Sequence, residues 1–295
     1  MAEARRSGNA SWIRHPPGPR DSAEAAFRLF CFHHGGGGAS SFNSWYRLLP
    51  PSVDMFRVQL PGREDRLEER LIGNIDGVLE GLVPQLAPLL DRPAVFYGHS
   101  LGAIIAFEAI RRLRRDCRSL PEALFVSGRR APHLALSHPP FGLATEDDLI
   151  AYLASMGGMP DALLKKAHWR NQLLPIVRED LNISDLYVYR QEPRLPCPIT
   201  FFAGVSDPWV KPVERQGWQP HTASAFRLVE LAGGHFFSRE EQATIAAEII
   251  DYFRCLAGFD SASAAGAISP AETFAVPDQA VSSQQRAAPL HWSRR

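Results

Sequence analysis

Four apolar or aromatic residues, Ala94-Val95-Phe96-Tyr97, run into Gly98-His99-Ser100-Leu101-Gly102, and an apolar stretch from Ile104 to Leu113 follows at once. The pattern predicts a short buried strand, a sharp turn and a helix. A serine in the middle of such a turn adopts strained backbone geometry, so its neighbours must be small. Gly98 and Gly102 meet that need, because a Cβ at either place would collide with the facing strand or helix. The Ser100 hydroxyl then projects from the carboxyl end of the sheet, beside the first N–H groups of the helix, which favour developing negative charge. Glycines and serines also share ordinary loops, and a tight strand-to-helix connection without chemistry is the alternative reading of this stretch alone.

The rest of the chain alternates in the same way. Phe27 to Phe32 suits a strand and ends in His33-His34-Gly35-Gly36-Gly37-Gly38-Ala39-Ser40, a loop whose backbone can come very close to a ligand. A phosphate cradle is one reading, but the Gly-Lys-Ser/Thr ending of a P-loop and the spacing of a dinucleotide fingerprint are both missing. A His-Gly-Gly-Gly stretch after an early strand, upstream of a strand-serine-helix turn, fits the second arm of an oxyanion hole, and that reading is favoured. His33 and His34 could equally serve only to shape the loop. A short helix around Trp45 to Leu49, stopped by Pro50-Pro51, precedes a strand from Phe56 to Leu60, and Arg63-Glu64-Asp65-Arg66 reads as a solvated loop. Ile75 to Leu90 has helical spacing despite Pro84 and Pro88 and predicts a kinked crossover helix. Strand alternating with helix implies an α/β architecture with a mostly parallel central sheet.

Downstream, Arg111, Arg112, Arg114 and Arg115 crowd the far end of the helix after Ser100. Basic residues there complement the helix dipole, so a solvated stabilising terminus is the plainer reading and a docking patch for an acidic partner the other. Ala123 to Gly128 is a further strand. Between His133 and Arg190 no convincing strand occurs, while Asp147 to Met156, Ala162 to Trp169 and Leu173 to Tyr189 read as helices. An insertion at this place is expected to cap the carboxyl edge of the sheet as a lid, with Met156-Gly157-Gly158-Met159 as adaptable surface and hinge or as small helical core. Strands at Ile199 to Gly204 and Phe226 to Leu231 and a helix from Glu240 to Leu256 complete the expected domain, residues 26–257. Residues 1–25 and 258–295, rich in Pro, Gly, Ser, Ala or Gln without periodicity, are expected to be unordered, with Trp12-Ile13 the one anchor in the first.

Composition narrows the function classes. Lysine plus arginine equal aspartate plus glutamate at 32 each in 295 residues, so no global field draws the chain to nucleic acid or to an anionic membrane. No apolar run approaches a membrane span, and the start carries no apolar signal region, which predicts a soluble, cytoplasmic protein. Four scattered cysteines, none in a C-x-x-C pair, argue against a disulfide framework or a zinc site. No metal and no cofactor are expected.

A serine hydroxyl is a weak nucleophile at neutral pH and needs a base, which in turn needs an orienting acid. Asp207, after the strand ending at Gly204, and His235, in Gly233-Gly234-His235-Phe236-Phe237, supply both in the chain order Ser100, Asp207, His235. That order is the one expected of an α/β-hydrolase. Asp207 could otherwise be a turn or capping residue before Pro208. His99, His133, His138, His168 and His221 are less suitably placed, and the rival acids Asp180 and Asp185 lie in the helical insertion. The backbone N–H groups of Gly35 and Leu101 are the expected oxyanion donors.

Phe30-Cys31-Phe32-His33-His34-Gly35-Gly36-Gly37-Gly38-Ala39-Ser40, Gln59-Leu60-Pro61-Gly62-Arg63-Glu64, Gly98-His99-Ser100-Leu101-Gly102-Ala103, Leu173-Leu174-Pro175-Ile176-Val177-Arg178-Glu179-Asp180 and Gly233-Gly234-His235-Phe236-Phe237 together resemble the type II, stand-alone thioesterases of polyketide and nonribosomal peptide synthesis. The resemblance runs from about Trp12 to about Phe253. It implies an α/β-hydrolase fold with a helical lid. It also implies hydrolysis of acyl groups from the phosphopantetheine arm of acyl or peptidyl carrier proteins, as editing of stalled or mis-primed chains. A monomer is expected. The family usually has proline at His33 and alanine at Gly35, which implies a looser oxyanion loop here, and its Arg-Ala-Asp pattern reads Arg178-Glu179-Asp180. A general carboxylesterase or acyltransferase with the same triad and a non-catalytic binding scaffold remain as alternatives. Acyl-chain length and the assembly line served are not encoded in these motifs.

Overall fold

The computed structural model describes residues 11–15, 25–157 and 166–258. By proximity of its Cα atoms the chain divides into residues 1–249 and residues 250–295, and the architecture below is that of the first unit. Among the described residues, seven strands form one sheet: β1 (Ile13–Arg14), β2 (Phe27–Phe32), β3 (Val53–Val58), β4 (Ala94–His99), β5 (Ala123–Ser127), β6 (Ile199–Gly204) and β7 (Phe226–Leu231). Their order is β1-β3-β2-β4-β5-β6-β7, and every pairing is parallel except that of β1 with β3. Short parallel strands covered by helices on both faces are apolar throughout, and β2, β4, β5 and β6 are buried along nearly their whole length.

The helices are α1 (Ile75–Leu86), α2 (Leu101–Arg115), α3 (Glu146–Met156), α4 (Ala167–Asp185) and α5 (Gln242–Leu256). Helix α1 starts where the Asn74 side chain accepts the Gly77 N–H at 2.8 Å, takes Pro84 in its interior and gives way at Ala87 to a 3-10 turn. An N-cap of this kind satisfies one of the otherwise unpaired first-turn donors. Phe30 stacks on Phe56 at 4.9 Å and meets Phe96 edge-on at 5.4 Å, so the central strands share one aromatic layer. Each such ring contributes about 1.5–3 kcal/mol by leaving water.

The sheet order reverses beside β2: the chain steps from β2 outward to β3, then returns to lay β4 on the other flank of β2. Connections leaving neighbouring strands in opposite directions open a crevice at their carboxyl ends, and ligands of open α/β sheets bind there. The loop after β2 carries the four glycines, and the turn after β4 carries Ser100.

Several sequence expectations are corrected. The arm before residue 26 is not wholly unordered. Trp12 is buried, its carbonyl accepts the Gln59 N–H at 2.9 Å, its N–H reaches Gln85 Oε1 at 2.7 Å, and its ring lies 4.5 Å from the Arg66 guanidinium. One large aromatic ring with paired backbone groups holds a two-residue strand that composition alone does not reveal. The strand expected at Phe56 to Leu60 is Val53–Val58, because Asp54 and Arg57 are buried rather than solvent-facing, Arg57 being spent on Asn43 and the His15 carbonyl. The segment from Arg63 to Arg66 is not simply solvated, since both arginines are about 4% exposed. In the insertion, α3 begins one residue before expectation, where Thr145 caps the Asp148 N–H. Helix α4 starts at Ala167 and ends at Asp185, where Leu173 and Tyr189 were the expected bounds. Residues 158–165, on which half of the helix expected at Ala162 to Trp169 and the Gly158-Met159 part of the expected hinge fall, lie outside the described residues, as does most of the expected C-terminal tail.

Candidate active site

Ser100 has φ +55° and ψ −112°, a left-handed conformation that costs an L residue of order 1–3 kcal/mol and is held only by its surroundings. Those surroundings are tight. A Cβ on Gly98 would run into the Gly102 carbonyl, and one on Gly102 would run into the Phe32 carbonyl of β2. The Ser100 N–H is paired with the Ser127 carbonyl at 2.8 Å, which fixes the turn to β5.

Asp207 and His235 come to the same edge from β6 and β7. Val205 N–H bonds the Leu231 carbonyl at 2.9 Å and Ser206 N–H the Gly233 carbonyl at 3.0 Å, so the two loops leave the sheet already joined. His235 Nδ1 lies 3.0 Å from Asp207 Oδ2, and its Nε2 lies 3.2 Å from Ser100 Oγ. Asp207 Oδ1 also accepts the Trp209 N–H at 2.9 Å. The turn role and the orienting role proposed as alternatives for this aspartate therefore coexist, one on each oxygen. Asp207 and His235 are both buried, and in a site poor in water the acid-to-imidazole contact is stronger than it would be at the surface.

The N–H groups around the hydroxyl sort themselves. In the glycine loop, Gly36 N–H goes to Asp180 Oδ2 at 2.7 Å and Gly37 N–H to the His34 carbonyl at 3.0 Å. Among the described residues, no partner takes the Gly35 N–H, and at the turn none takes that of Leu101. A Cβ at Gly35 would meet only the Asp180 Cβ, at 3.6 Å, which is ordinary contact, so an alanine would fit in this place.

The remaining histidines have other work. His33 Nδ1 lies 2.8 Å from the His34 carbonyl and donates to it, and burial pushes the ring down to about 3. His34 is likewise pushed down to about 3 by burial, with neighbouring His33, Arg239 and His235 adding to the effect. His99 points back at Ser127 Oγ, 2.8 Å away, and its pKa is lowered well below the ordinary value, chiefly by burial. His133 Nδ1 and His221 Nε2 are 2.7 Å apart, away from the hydroxyl, and His221 is pushed down to about 4 by burial and the adjacent ring. Of the rival acids, Asp185 accepts from Phe141 N–H and Ser184, and Asp180 pairs with Arg63.

Above the hydroxyl lies a chamber of about 160 Å³, walled by Leu101, Tyr152, Met156, Leu173, Val177 and Trp209 among others. Helices α3 and α4 supply most of its apolar side chains, and Leu149, Leu174, Val177 and Leu181 form a small apolar core of their own behind it. Leu101, Leu173 and Val177 were named from the sequence for other reasons and Met156 as lid surface, while Tyr152 and Trp209 were not singled out. Trp209 sits two residues past Asp207, yet nothing local tells that its ring faces Tyr152, 4.9 Å away.

Arg111 to Arg115 do not form a free basic patch. Arg111 is buried and bonds Glu108, Glu192 and the Arg190 carbonyl, Arg114 bonds Glu192 and the Pro193 and Arg194 carbonyls, Arg115 bonds Glu192, and Arg112 bonds Asp116. Among the described residues, no group of three or more His, Cys, Asp or Glu is arranged to hold a metal ion, and no helix is long and apolar enough to cross a membrane.

Comparison with known proteins agrees with this geometry. The thioesterase domain model matches residues 27–253. The gramicidin S biosynthesis protein GrsT of Aneurinibacillus migulanus is 35% identical over 221 residues, 75% of this chain and 86% of that protein. Thioesterase PikA5 of Streptomyces venezuelae is 36% identical over 247 residues, 82% of this chain and 85% of that one. The structure of BorB, a type II thioesterase from the borrelidin biosynthetic cluster, superposes with a TM-score of 0.73 at 36% identity, covering 82% of this chain and 98% of the other. An α/β-hydrolase sheet, a serine at its sharpest turn and relatives of this identity and coverage lead to one assignment: the chain belongs to the thioesterase family.

Proposed function

We propose that this chain is a serine thioesterase that hydrolyses acyl groups from the phosphopantetheine arm of acyl or peptidyl carrier proteins and so edits a polyketide or nonribosomal peptide assembly line. The observation that carries the reading is the unbroken contact from Asp207 through His235 to Ser100 beneath an apolar chamber. Two relatives that bear the thioesterase name, PikA5 and BorB of the borrelidin cluster, and a gramicidin S biosynthesis protein support the choice of substrate class.

In this reading His235 Nε2 takes the Ser100 proton as Oγ attacks the thioester carbonyl, and the Gly35 and Leu101 N–H groups receive the oxyanion. Asp207 holds the imidazole with its proton on Nδ1 and stabilises the imidazolium. Collapse of the tetrahedral adduct expels the pantetheine thiolate, which takes up the proton held by His235. Water then repeats the sequence on the acyl-enzyme and restores the serine. A thiol of pKa roughly 8–9 leaves more readily than an alkoxide, so no further acid is required. No bound cofactor enters the scheme, since the phosphopantetheine arrives with the substrate.

The test is a paired rate measurement with one acyl group presented on a carrier protein and as a simple oxygen ester. Faster turnover of the carrier-bound thioester, abolished in Ser100→Ala, is expected. Equal rates would point to a general carboxylesterase, and turnover that survives Ser100→Ala would remove the proposal.

A further inference from the structure

The loop from Gly35 to Gly38 has no side chains of its own with which to hold a shape. Four successive glycines lose more backbone freedom on ordering than any other run of four residues. Open space also lies on either side of it: His34 and Gly36 line both the chamber beneath α3 and α4 and a second cavity of about 470 Å³. The loop therefore has to be fixed by polar groups brought from elsewhere.

Three side chains do so, at Gly36, Gly37 and Ala39. Asp180 Oδ2 accepts the Gly36 N–H at 2.7 Å, Arg63 Nη1 donates to the Gly37 carbonyl at 3.1 Å, and Gln59 Oε1 accepts the Ala39 N–H at 2.6 Å. Asp180 and Arg63 are joined to each other by two bonds, of 2.6 and 2.8 Å, with side chains about 0% and 5% exposed. Gly36 itself has φ +73°, and a Cβ there would press on Val177 of α4, so the chain is drawn hard against the helix that carries Asp180.

Charge makes the pairing necessary. A lone carboxylate one peptide away from the oxyanion donor would oppose the charge that develops in the transition state. The forked, two-bond contact with Arg63 neutralises it while leaving the Gly36 hydrogen bond in place. Taking the Gly36 N–H fixes the Gly35–Gly36 peptide on one side of the Gly35 Cα, while the His34–Gly35 peptide, which carries the unpaired Gly35 N–H, is held on the other through its His34 carbonyl, the acceptor for Gly37 N–H and His33 Nδ1; the two planes together direct the Gly35 N–H.

We propose that Asp180, held by Arg63, is a positioning residue that aims the Gly35 N–H at the oxyanion, so that the helical insertion contributes to the rate as well as enclosing the acyl group. The inference rests on the thioesterase reading above. Neither residue touches the reacting atoms. Their effect passes through the loop backbone and belongs to the transition state more than to the bound substrate.

The experiment compares wild type, Asp180→Ala, Asp180→Asn and Arg63→Lys on a short-chain acyl thioester of N-acetylcysteamine. A trifluoromethyl ketone analogue, which becomes an oxyanion on Ser100, and an inert thioether analogue of the same chain are used as inhibitors. Expected is a loss of kcat of about 10–10²-fold in Asp180→Ala with KM within about threefold, and a weakening of the ketone by a similar factor with the thioether nearly unchanged. Asp180→Asn, whose amide oxygen can still accept from Gly36, recovers part of kcat. Wild-type kcat in Asp180→Ala, or equal weakening of ketone and thioether, overturns the proposal. Should Asp180→Ala fail to fold, Asp180→Asn and Arg63→Lys decide: lowered kcat with retained KM supports it, and wild-type kcat in both overturns it. A wild-type chain that does not hydrolyse the thioester at all counts against the thioesterase reading instead.

Discussion

Two arginine-centred ties join distant parts of this chain, and they differ in what they hold. Arg63 and Asp180 connect the loop after β3 to helix α4 across the carboxyl edge of the sheet, within hydrogen-bond reach of the glycine loop. Arg111, Arg114 and Arg115 connect the far end of α2 to the segment around Glu192, with Tyr187 and Glu108 completing the cluster. Arg63 and the arginines at the end of α2 read along the chain as solvent-facing charge, and Asp180 as a rival acid. One borders the glycine loop and the other lies at the far end of α2, the helix that follows Ser100. An ion pair influences chemistry through what its partners touch, and residue type is no guide to that.

Mutations give the contrast in order of size. Ser100→Ala sets the floor and is expected to lower kcat/KM for a carrier-bound thioester by more than about 10³-fold, with the melting temperature nearly unchanged. Against that floor, Asp180→Ala should lose about one to two orders of magnitude in kcat and Asp180→Asn less. Arg111→Ala is expected to do the reverse. Breaking a buried pair costs about 3 kcal/mol, a fall in Tm of roughly 6–12 °C, while kcat of the folded enzyme stays within about twofold. A kcat loss in Arg111→Ala larger than its shift in stability explains would erase the distinction between the two ties.

Acid sharpens the comparison from another side. His33, His34 and His221 have folded-state pKa values of about 3, 3 and 4, below the ordinary 6.5, because burial disfavours their charged forms. The unfolded chain therefore binds more protons than the native one as pH falls below about 6.5, and stability present above that value is lost progressively toward pH 3–4. Thermal melts between pH 7.5 and 4.5 should show a steady fall in Tm, with a shallower slope in His34→Phe, whose ring keeps the edge contacts to His99 and Phe236. An unchanged slope would mean that other groups dominate. Smallest of all, Arg115→Ala removes one member of a half-exposed cluster and is expected to change stability by no more than about 1 kcal/mol and KM for the carrier protein not at all. A raised KM would revive the docking reading of that patch.

How much was readable in advance differs between these regions for the same reason. Ser100 and Asp207 follow largely apolar strands and His235 follows β7, where Arg227 and Glu230 interrupt the run; strand ends in a parallel sheet share one edge, so chain order brings the three close. The apolar runs of β2, β4, β5 and β6 were legible because a strand buried on both faces is apolar throughout. Asp54 and Arg57 in β3 broke the pattern and shifted the expected strand by three residues at its start. Trp12 was named as an anchor, while the two-residue strand it secures was not foreseen, since its partners Gln59 and Gln85 lie far along the chain. Asp180 was weighed as a rival acid and set aside. Pro61-Gly62-Arg63-Glu64 and Arg178-Glu179-Asp180 were both among the motifs that carried the family resemblance, yet nothing in either segment says that they meet.

Local spacing was therefore enough to determine the alternation of strand and helix, the strained turn at Ser100 and the residue types of the triad, because those depend on neighbours within a few positions. Tertiary structure alone decided which side chains hold the glycine loop, which arginine faces which acid and how the lid helices wall the acyl chamber. Those outcomes turn on contacts between segments more than a hundred residues apart in the case of Arg63 and Asp180, where a displacement of about an ångström makes or breaks a hydrogen bond.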